Sequence, residues 1–252
     1  MRDNTGKFDG YAKDYTVGRP GYAEDLIKCL YDKYGFTERS VIADVGSGTG
    51  KFARQLLDKG SEVYCVEPND DMRCTAEEEL GSYRNFHCVN GDAENTKLKE
   101  NSVDHITTAQ AFHWFDVKRF RNECSRILKK DGKVFLIWNV RDEDDAVNRE
   151  LYGIYSRYCP EFHGFSGGIV KDDKRIREFF DDRYEYVSFD HPLYYDREKF
   201  IARSLSGSYS LKEGDKDFER YMEEIKDLFN RYSDNGAVTI ANRSAAYIGS
   251  VV

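Results

Sequence analysis

The stretch VIADVGSGTGKF, residues 41–52, runs a short apolar strand into three glycines at alternating positions, Gly46, Gly48 and Gly50, and then into a helix. Residues without a Cβ can adopt positive φ and let a ligand lie directly against the main chain. Few folds need such a turn, and the rest of the chain decides among them. SEVYCVEP, NFHCVNGDAE, VDHITTAQAF and GKVFLIWNV read as further strands, interspersed with the helical stretches KFARQLLDKG, DDMRCTAEEELG and DVKRFRNECSRILKKDG. Alternation of this kind implies a parallel sheet with right-handed crossovers and helices on both faces. Beyond Val140, RDEDDAVNRELYGIYSRYCPEF and DKDFERYMEEIKDLFNRYSD look helical, while RYEYVSFDHPLYY and AVTIANRSAAYIGSVV look like two late strands that complete the sheet.

The expected fold class is α/β: a doubly wound, Rossmann-like, mostly parallel seven-stranded sheet with helices on both faces. A helical cap comes from the N-terminus and the C-terminal half. No internal repeat and no linker rich in Pro, Gly or Ser divides the 252 residues, so they read as a single domain. Its parts are leading helices of the cap at 1–40, a cofactor-binding core at 41–140, a helical cap insertion with a late strand at 141–235, and a final strand region at 236–252. A formal net charge of −8 gives no overall pull toward phosphate backbones or anionic lipid, which disfavours a nucleic-acid partner. Six cysteines lie scattered without a C-x-x-C pair, a pattern of reduced, buried thiols rather than a zinc site or disulfide framework. The five histidines are spread out, and no metal is expected. Neither a signal-peptide core nor a membrane-length apolar stretch is present, so a cytoplasmic protein is expected.

In an open parallel sheet, ligands bind outside the carboxyl ends of the strands, closest to the first strand-to-helix turn. A dinucleotide fingerprint wants G-x-G-x-x-G, but Lys51 stands where its third glycine belongs, and no G-K-[ST] triplet marks a P-loop. Asp44, just before the turn, suits a cationic or ammonium-bearing ligand better than a pyrophosphate. Glu67 closes the second strand about 20 residues beyond the glycines, where a carboxylate can accept ribose hydroxyls.

These motifs resemble those of class I S-adenosylmethionine-dependent methyltransferases. VIADVGSGTGKF is similar to their first motif, VEPNDDM to the second, NGDAE to the third, and AFHWFD to the segment after the fourth strand in the type-11-like small-molecule branch. The resemblance covers residues 8–140 and implies S-adenosyl-L-methionine as cofactor, with S-adenosyl-L-homocysteine as product. It implies cofactor contacts at Asp44, Gly46, Ser47, Gly48, Gly50, Glu67 and Pro68. Met72 would lie on the adenine, Asp92 would take the adenine amino group, and the Ala93 backbone a ring nitrogen. Gln110, Ala111 and His113 would border the cofactor, and Arg19 in YTVGRPGY would approach its carboxylate.

Methyl transfer from a sulfonium is an in-line displacement that alignment and desolvation can drive, and a carboxylate acceptor needs no base. His113 is the candidate base if one is used, beside its pocket-lining role; the catalytic residue is otherwise unassigned. WNVRDEDD after the fifth strand and FIARSLSGSYS in the tail resemble the trans-aconitate methyltransferase-like and related small-molecule groups, in which the Arg-Ser…Ser-Tyr segment would face the acceptor. Arg203, Ser206, Ser208 and Tyr209 would then offer a cation and hydroxyls to a small oxygen-rich molecule. Trp114, Trp138, Tyr194 and Tyr195 complete the candidate acceptor surface. The acidic run after Arg141, in RDEDD, departs from that group. An RNA or protein methyltransferase shares every cofactor motif, and a non-catalytic cofactor-binding regulator shares the fold; a nicotinamide-dependent oxidoreductase ranks last, because the third glycine is misplaced. A small-molecule methyltransferase acting as a monomer or homodimer is the expected function.

Overall fold

A computed structural model of the chain describes residues 20–165 and 173–251. Its first half runs α1 (Glu24–Lys33), β1 (Val41–Val45), α2 (Lys51–Leu57), β2 (Glu62–Val66), α3 (Asp70–Leu80), β3 (Phe86–Val89), β4 (Val103–Ala109), α4 (Val117–Ile127) and β5 (Leu128–Arg141). The second half runs α5 (Ala146–Tyr158), α6 (Lys174–Phe180), β6 (Glu185–Asp190), β7 (Leu193–Asp196), α7 (Arg197–Leu205), α8 (Phe218–Tyr232), β8 (Ala237–Ile240) and β9 (Asn242–Gly249). Short acidic or amide side chains start most of these helices. Asn69, Asp116, Asp145, Asp173 and Asp196 each accept a main-chain N–H from the first turn of α3, α4, α5, α6 and α7 respectively. A side-chain oxygen in that position satisfies a donor the helix itself leaves open.

Seven strands form the main sheet in the order β3-β2-β1-β4-β5-β9-β6. The β1–β2, β1–β4, β2–β3 and β4–β5 pairs are parallel, and β9 runs antiparallel to both β5 and β6. The strand order reverses between β1 and β4, which makes the carboxyl ends of those two strands the place where a ligand can enter between the flanking loops. Strand residues alternate between two covered faces. Phe135 and Ile137 of β5 pack with Leu26, Leu30, Phe52 and Leu56 of α1 and α2. Val134, Leu136 and Trp138 pack on the other side with Phe120, Ile127, Ile176 and Phe179 of α4 and α6. Helix α1 is thus a face layer, and the segment that precedes it reaches the end of the sheet.

A third apolar cluster stands apart from both faces. Leu151, Ile154, Phe200, Tyr221, Ile225, Leu228, Val238 and Ile240, from α5, α7, α8 and β8, give the cap a core of its own. The two late strand stretches turn out to be divided. β6 and β9 complete the main sheet, whereas β7 and β8 pair with each other in a separate two-stranded ribbon within the cap. Pro192 sits at the first break and has no N–H to continue a ladder. At the same crossing His191 N donates to Asn242 O at 2.8 Å, and Asn242 Nδ2 donates to His191 O at 3.2 Å. The helix expected over DVKRFRNECSRILKKDG ends at Ile127, because Leu128 already pairs with Val103 and the strand begins there. Among the described residues no helix is long and apolar enough to cross a membrane.

Candidate active site

The glycine turn follows β1 at the sheet's switch point. Gly46, Gly48 and Gly50 have φ values of +69°, +56° and +77°, a region L side chains rarely enter. A Cβ on Gly46 would stand 2.6 Å from the Ala111 Cβ, so the turn and the loop after β4 meet backbone to side chain with no room between them. A Cβ on Gly48 would meet nothing within 4 Å. That glycine is required by its backbone angle alone, and the main chain beside it faces open space.

Two carboxylates stand beside the turn, and one of them holds it. Glu67, at the end of β2, accepts the Gly48 N–H at 2.9 Å on Oε2 and the Asn69 N–H at 3.0 Å on Oε1. Each oxygen keeps a further lone pair for a hydroxyl. Burial raises the Glu67 pKa, and the two N–H donors pull it back. Asp44 is fully buried in β1, with Oδ1 accepting the Thr107 hydroxyl at 2.7 Å and Oδ2 without a partner. Burial pushes the Asp44 carboxyl up to about 7, with the Thr107 hydrogen bond opposing and the Glu67 charge adding to the rise. A buried acceptor left open beneath a bare turn matches a ligand ammonium group, which would both satisfy Oδ2 and favour the ionised form. The residues present therefore fit the charged end of S-adenosylmethionine.

A cleft opens over this turn, lined among others by Gly46, Ser47, Lys51, Gln110, Arg141 and Arg203. Gln110 adopts φ +59°, an uncommon angle for a side-chain-bearing residue. It is held by its N–H to Ile137 O at 2.9 Å and its Nε2 to Asn139 O at 3.3 Å. Over-determined backbone of this kind concentrates at binding sites. Pro20 and Tyr22 close one side of the cleft, tied down through the Gln55 side chain, which bonds both the N–H and the carbonyl of Tyr22.

The structure thus brings Gly46, Ser47, Gln110 and Arg203 into one cleft, above Asp44, Gly48 and Glu67. Pro68 follows Glu67, with its carbonyl accepting from Arg73 at 2.8 Å. Ala111 lies buried behind Gly46. Met72 is 3% exposed, one turn into α3, and Ala93 packs with Val66 and Phe112. Asp92 is exposed and uses Oδ1 to accept the Glu94 N–H at 3.0 Å, closing its own turn. His113 and Trp114 share a single 3₁₀ turn after β4, rings 4.8 Å apart. Arg19 lies outside the described residues.

Three acceptor expectations change. Trp138 is 1% exposed and wedged between Phe112 and Tyr247, so it is a core residue rather than a wall of the cleft. Its place in β5 points it to the α4/α6 face, where the pleat puts every second residue. Ser206 ends α7: its N–H donates to Ala202 O at 3.0 Å and its hydroxyl to the Arg203 carbonyl at 2.9 Å, which supports Arg203 from below. Tyr209 packs its ring on Tyr155 and Phe162, at 5.2 Å and 4.8 Å between centroids.

One cleft residue went unread in the sequence. Arg141, the last residue of β5, is only 8% exposed. Its guanidinium carbon lies 4.2 Å from the Phe165 ring centroid, and its Nη1 is buried without a partner. Burial lowers its pKa first and the Arg203 charge second, with Tyr155, Tyr209 and Tyr195 opposing. Its position directly after a strand end was the available signal, masked by the acidic residues that follow.

The family described as methyltransferase domain matches residues 43–136. An uncharacterized methyltransferase-like protein of Schizosaccharomyces pombe is 26% identical over 93% of this chain and 91% of its own length. An uncharacterized methyltransferase of Mycobacterium tuberculosis is 35% identical over 62% of this chain, which spans 61% of that protein. Among solved structures, a proposed type II methyltransferase from Anaeromyxobacter dehalogenans superposes with a TM-score of 0.65 at 17% identity, over 93% of this chain and 98% of that one.

Proposed function

We propose that this chain, which belongs to the class I S-adenosylmethionine-dependent methyltransferases, delivers its methyl group to an oxygen of a small anionic acceptor, foremost a carboxylate. The observation that carries this reading is the placement of Arg141 and Arg203 in the same cleft as Gly46 and Gln110. When bound, S-adenosylmethionine supplies a sulfonium-activated methyl group. The Asp44 carboxylate would hold the amino group, Glu67 the ribose hydroxyls, and Asp92 with Ala93 the adenine. The bare main chain at Gly46 and Gly48 lets the ligand approach, and the strap at Pro20 and Tyr22 excludes water from one side. Arg203 would attract and orient the acceptor. A carboxylate acceptor is already ionised at neutral pH, so no general base is required and His113 has a lining role. This fits the tail's resemblance to the trans-aconitate methyltransferase-like group. The same reading expects a cytoplasmic enzyme working as a monomer or homodimer, with no nucleic-acid partner.

The test is calorimetric titration with S-adenosylmethionine, S-adenosylhomocysteine and NAD, followed by incubation of the protein with S-adenosylmethionine and a panel of small carboxylic acids, products read by mass spectrometry. Binding of the two sulfur ligands and a product 14 mass units heavier, released by mild alkali as an ester is, support the reading. Binding of NAD alone, or methylation of RNA or peptide in place of the acids, would replace it.

A further inference from the structure

We infer that His191 is a positioning residue for the cofactor, acting from the crossing into the cap: together with Asn139 it fixes the carbonyl of Gly21 and so holds the strap, residues 20–23, against the amino-acid end of the bound cofactor. The inference rests on the reading of this cleft as the cofactor site. Its starting point is one carbonyl with two distant donors. Gly21 O accepts from Asn139 Nδ2 at 2.9 Å and from His191 Nε2 at 3.1 Å, across 118 and 170 residues of chain. A carbonyl oxygen has two lone pairs, and both are taken. Because that oxygen can only accept, the contact assigns the His191 tautomer with its proton on Nε2.

The donors are themselves held in place. The Ala23 N–H donates to Ser244 Oγ at 2.9 Å, and Ser244 passes its own proton to Asn139 Oδ1 at 2.7 Å, where Asn242 Nδ2 also donates at 3.4 Å. With its oxygen so engaged, the Asn139 amide turns its nitrogen to Gly21. The His191 main chain is bonded to Asn242 through both its N–H and its carbonyl, where the chain leaves the main sheet for the cap ribbon. Of the strap's side-chain anchors, Gln55 belongs to α2, and Asn139 and Ser244 to the main sheet. His191 brings in the cap.

The place of the strap says which part of the cofactor it meets. Pro20 and Tyr22 line the cleft with Gly46, Ser47 and Gln110, over the open oxygen of Asp44. Glu67, Met72 and Asp92, proposed for the ribose and adenine, lie outside that lining. Asn139 also serves the opposite wall, since its main-chain carbonyl accepts Gln110 Nε2 at 3.3 Å while its side chain holds the strap. A displacement of the cap crossing is therefore felt first at the amino-acid end of the cofactor, and the nucleoside contacts are spared. Loss of one of two donors loosens the Gly21 carbonyl without freeing it, so the effect is on the rate of release.

The experiment measures, on the full chain, release of S-adenosylhomocysteine by stopped flow and affinity for methylthioadenosine, which has the nucleoside and sulfur but no amino acid. The proteins are wild type, His191→Asn and His191→Gln. Glutamine carries an N–H close to the reach of the imidazole Nε2, whereas asparagine matches Nδ1. S-adenosylhomocysteine should leave His191→Asn at least about threefold faster than wild type, and His191→Gln within about twofold of it. Methylthioadenosine should bind all three proteins alike, within about twofold. Unchanged release from His191→Asn, no recovery in His191→Gln, or an equal loss of methylthioadenosine binding would overturn the inference. Failure of wild type to bind S-adenosylhomocysteine would instead overturn the reading beneath it. Hydrogen exchange on wild type needs no variant: it should slow at the strap amides and at the His191 amide with S-adenosylhomocysteine and not with methylthioadenosine, and slowing by both alike or by neither counts against the strap's role.

Discussion

Asp44 and Glu67 divide the work of the first turn by what each oxygen already does. Both oxygens of Glu67 hold main-chain N–H groups, so Glu67→Ala should loosen the turn as well as remove the ribose partner, weakening S-adenosylhomocysteine binding by about tenfold or more in calorimetry. For Asp44 the sign follows from its raised folded-state pKa. The folded protein keeps a proton that the unfolded chain releases, so this residue's contribution to stability is full at low pH and is lost as pH rises from 3.8 toward about 7. Ligand binding runs the other way, because the ammonium group needs the ionised carboxylate. S-adenosylhomocysteine affinity should increase as pH is raised through about 7, and Asp44→Asn should bind more weakly with a flat profile between about pH 6 and 8. Trp138→Ala tests the core assignment. It should cost about 3–5 kcal/mol in denaturant unfolding, a loss of packing that no acceptor restores. The glycines, Asp44 and Glu67 were legible in the sequence because their spacing fixes backbone position. Arg141 and Trp138 were not, because which side of β5 a residue faces, and what lies opposite it, depends on elements distant in the chain.

At the scale of elements, the cap is held by a repeated device. Glu150 of α5 accepts from Arg231 and Tyr232 at the end of α8, and Glu224 of α8 accepts from Arg157 and Tyr158 at the end of α5. Both helices carry Glu followed seven residues later by Arg-Tyr, so the antiparallel pair closes on itself at both ends. The arginine bonds are exposed and the tyrosine bonds half-buried; together they set alignment, while the apolar stripe beneath them supplies the stability. Leu228→Ala, at a fully buried position of α8, should lower cap stability by about 2–5 kcal/mol in urea unfolding. The cofactor half lies in a different layer and should bind S-adenosylhomocysteine nearly as before at low urea. Helices α5 and α8 were readable from their periodicity. The breaks within the two late strand stretches were not, since a strand's sequence does not say which neighbour it will choose.

For the whole molecule, the cleft proposed for cofactor and acceptor draws its lining from three packed regions: the two faces of the sheet and the cap. A ligand bridging them favours only the folded state, so S-adenosylhomocysteine at 100 times its dissociation constant should raise the melting temperature by roughly 5–10 °C. Addition of a carboxylic acid that the protein methylates should extend that rise, and a differential scanning measurement separates the two increments. The attachment of the cap also sets how it can move. The chain passes from sheet to cap ribbon twice, between β6 and β7 and between β8 and β9, and the two crossings lie side by side, fastened to each other through His191 and Asn242. A flap hung on one strip can swing and turn freely. This cap hangs on more than one: the connection from β5 into α5 runs beside the same crossings, with the Asp142 N–H donating to Ala241 O at 3.2 Å and Asn148 Nδ2 to Ala241 O at 2.8 Å, so the attachment is a seam of strips fastened together, a form that resists twisting.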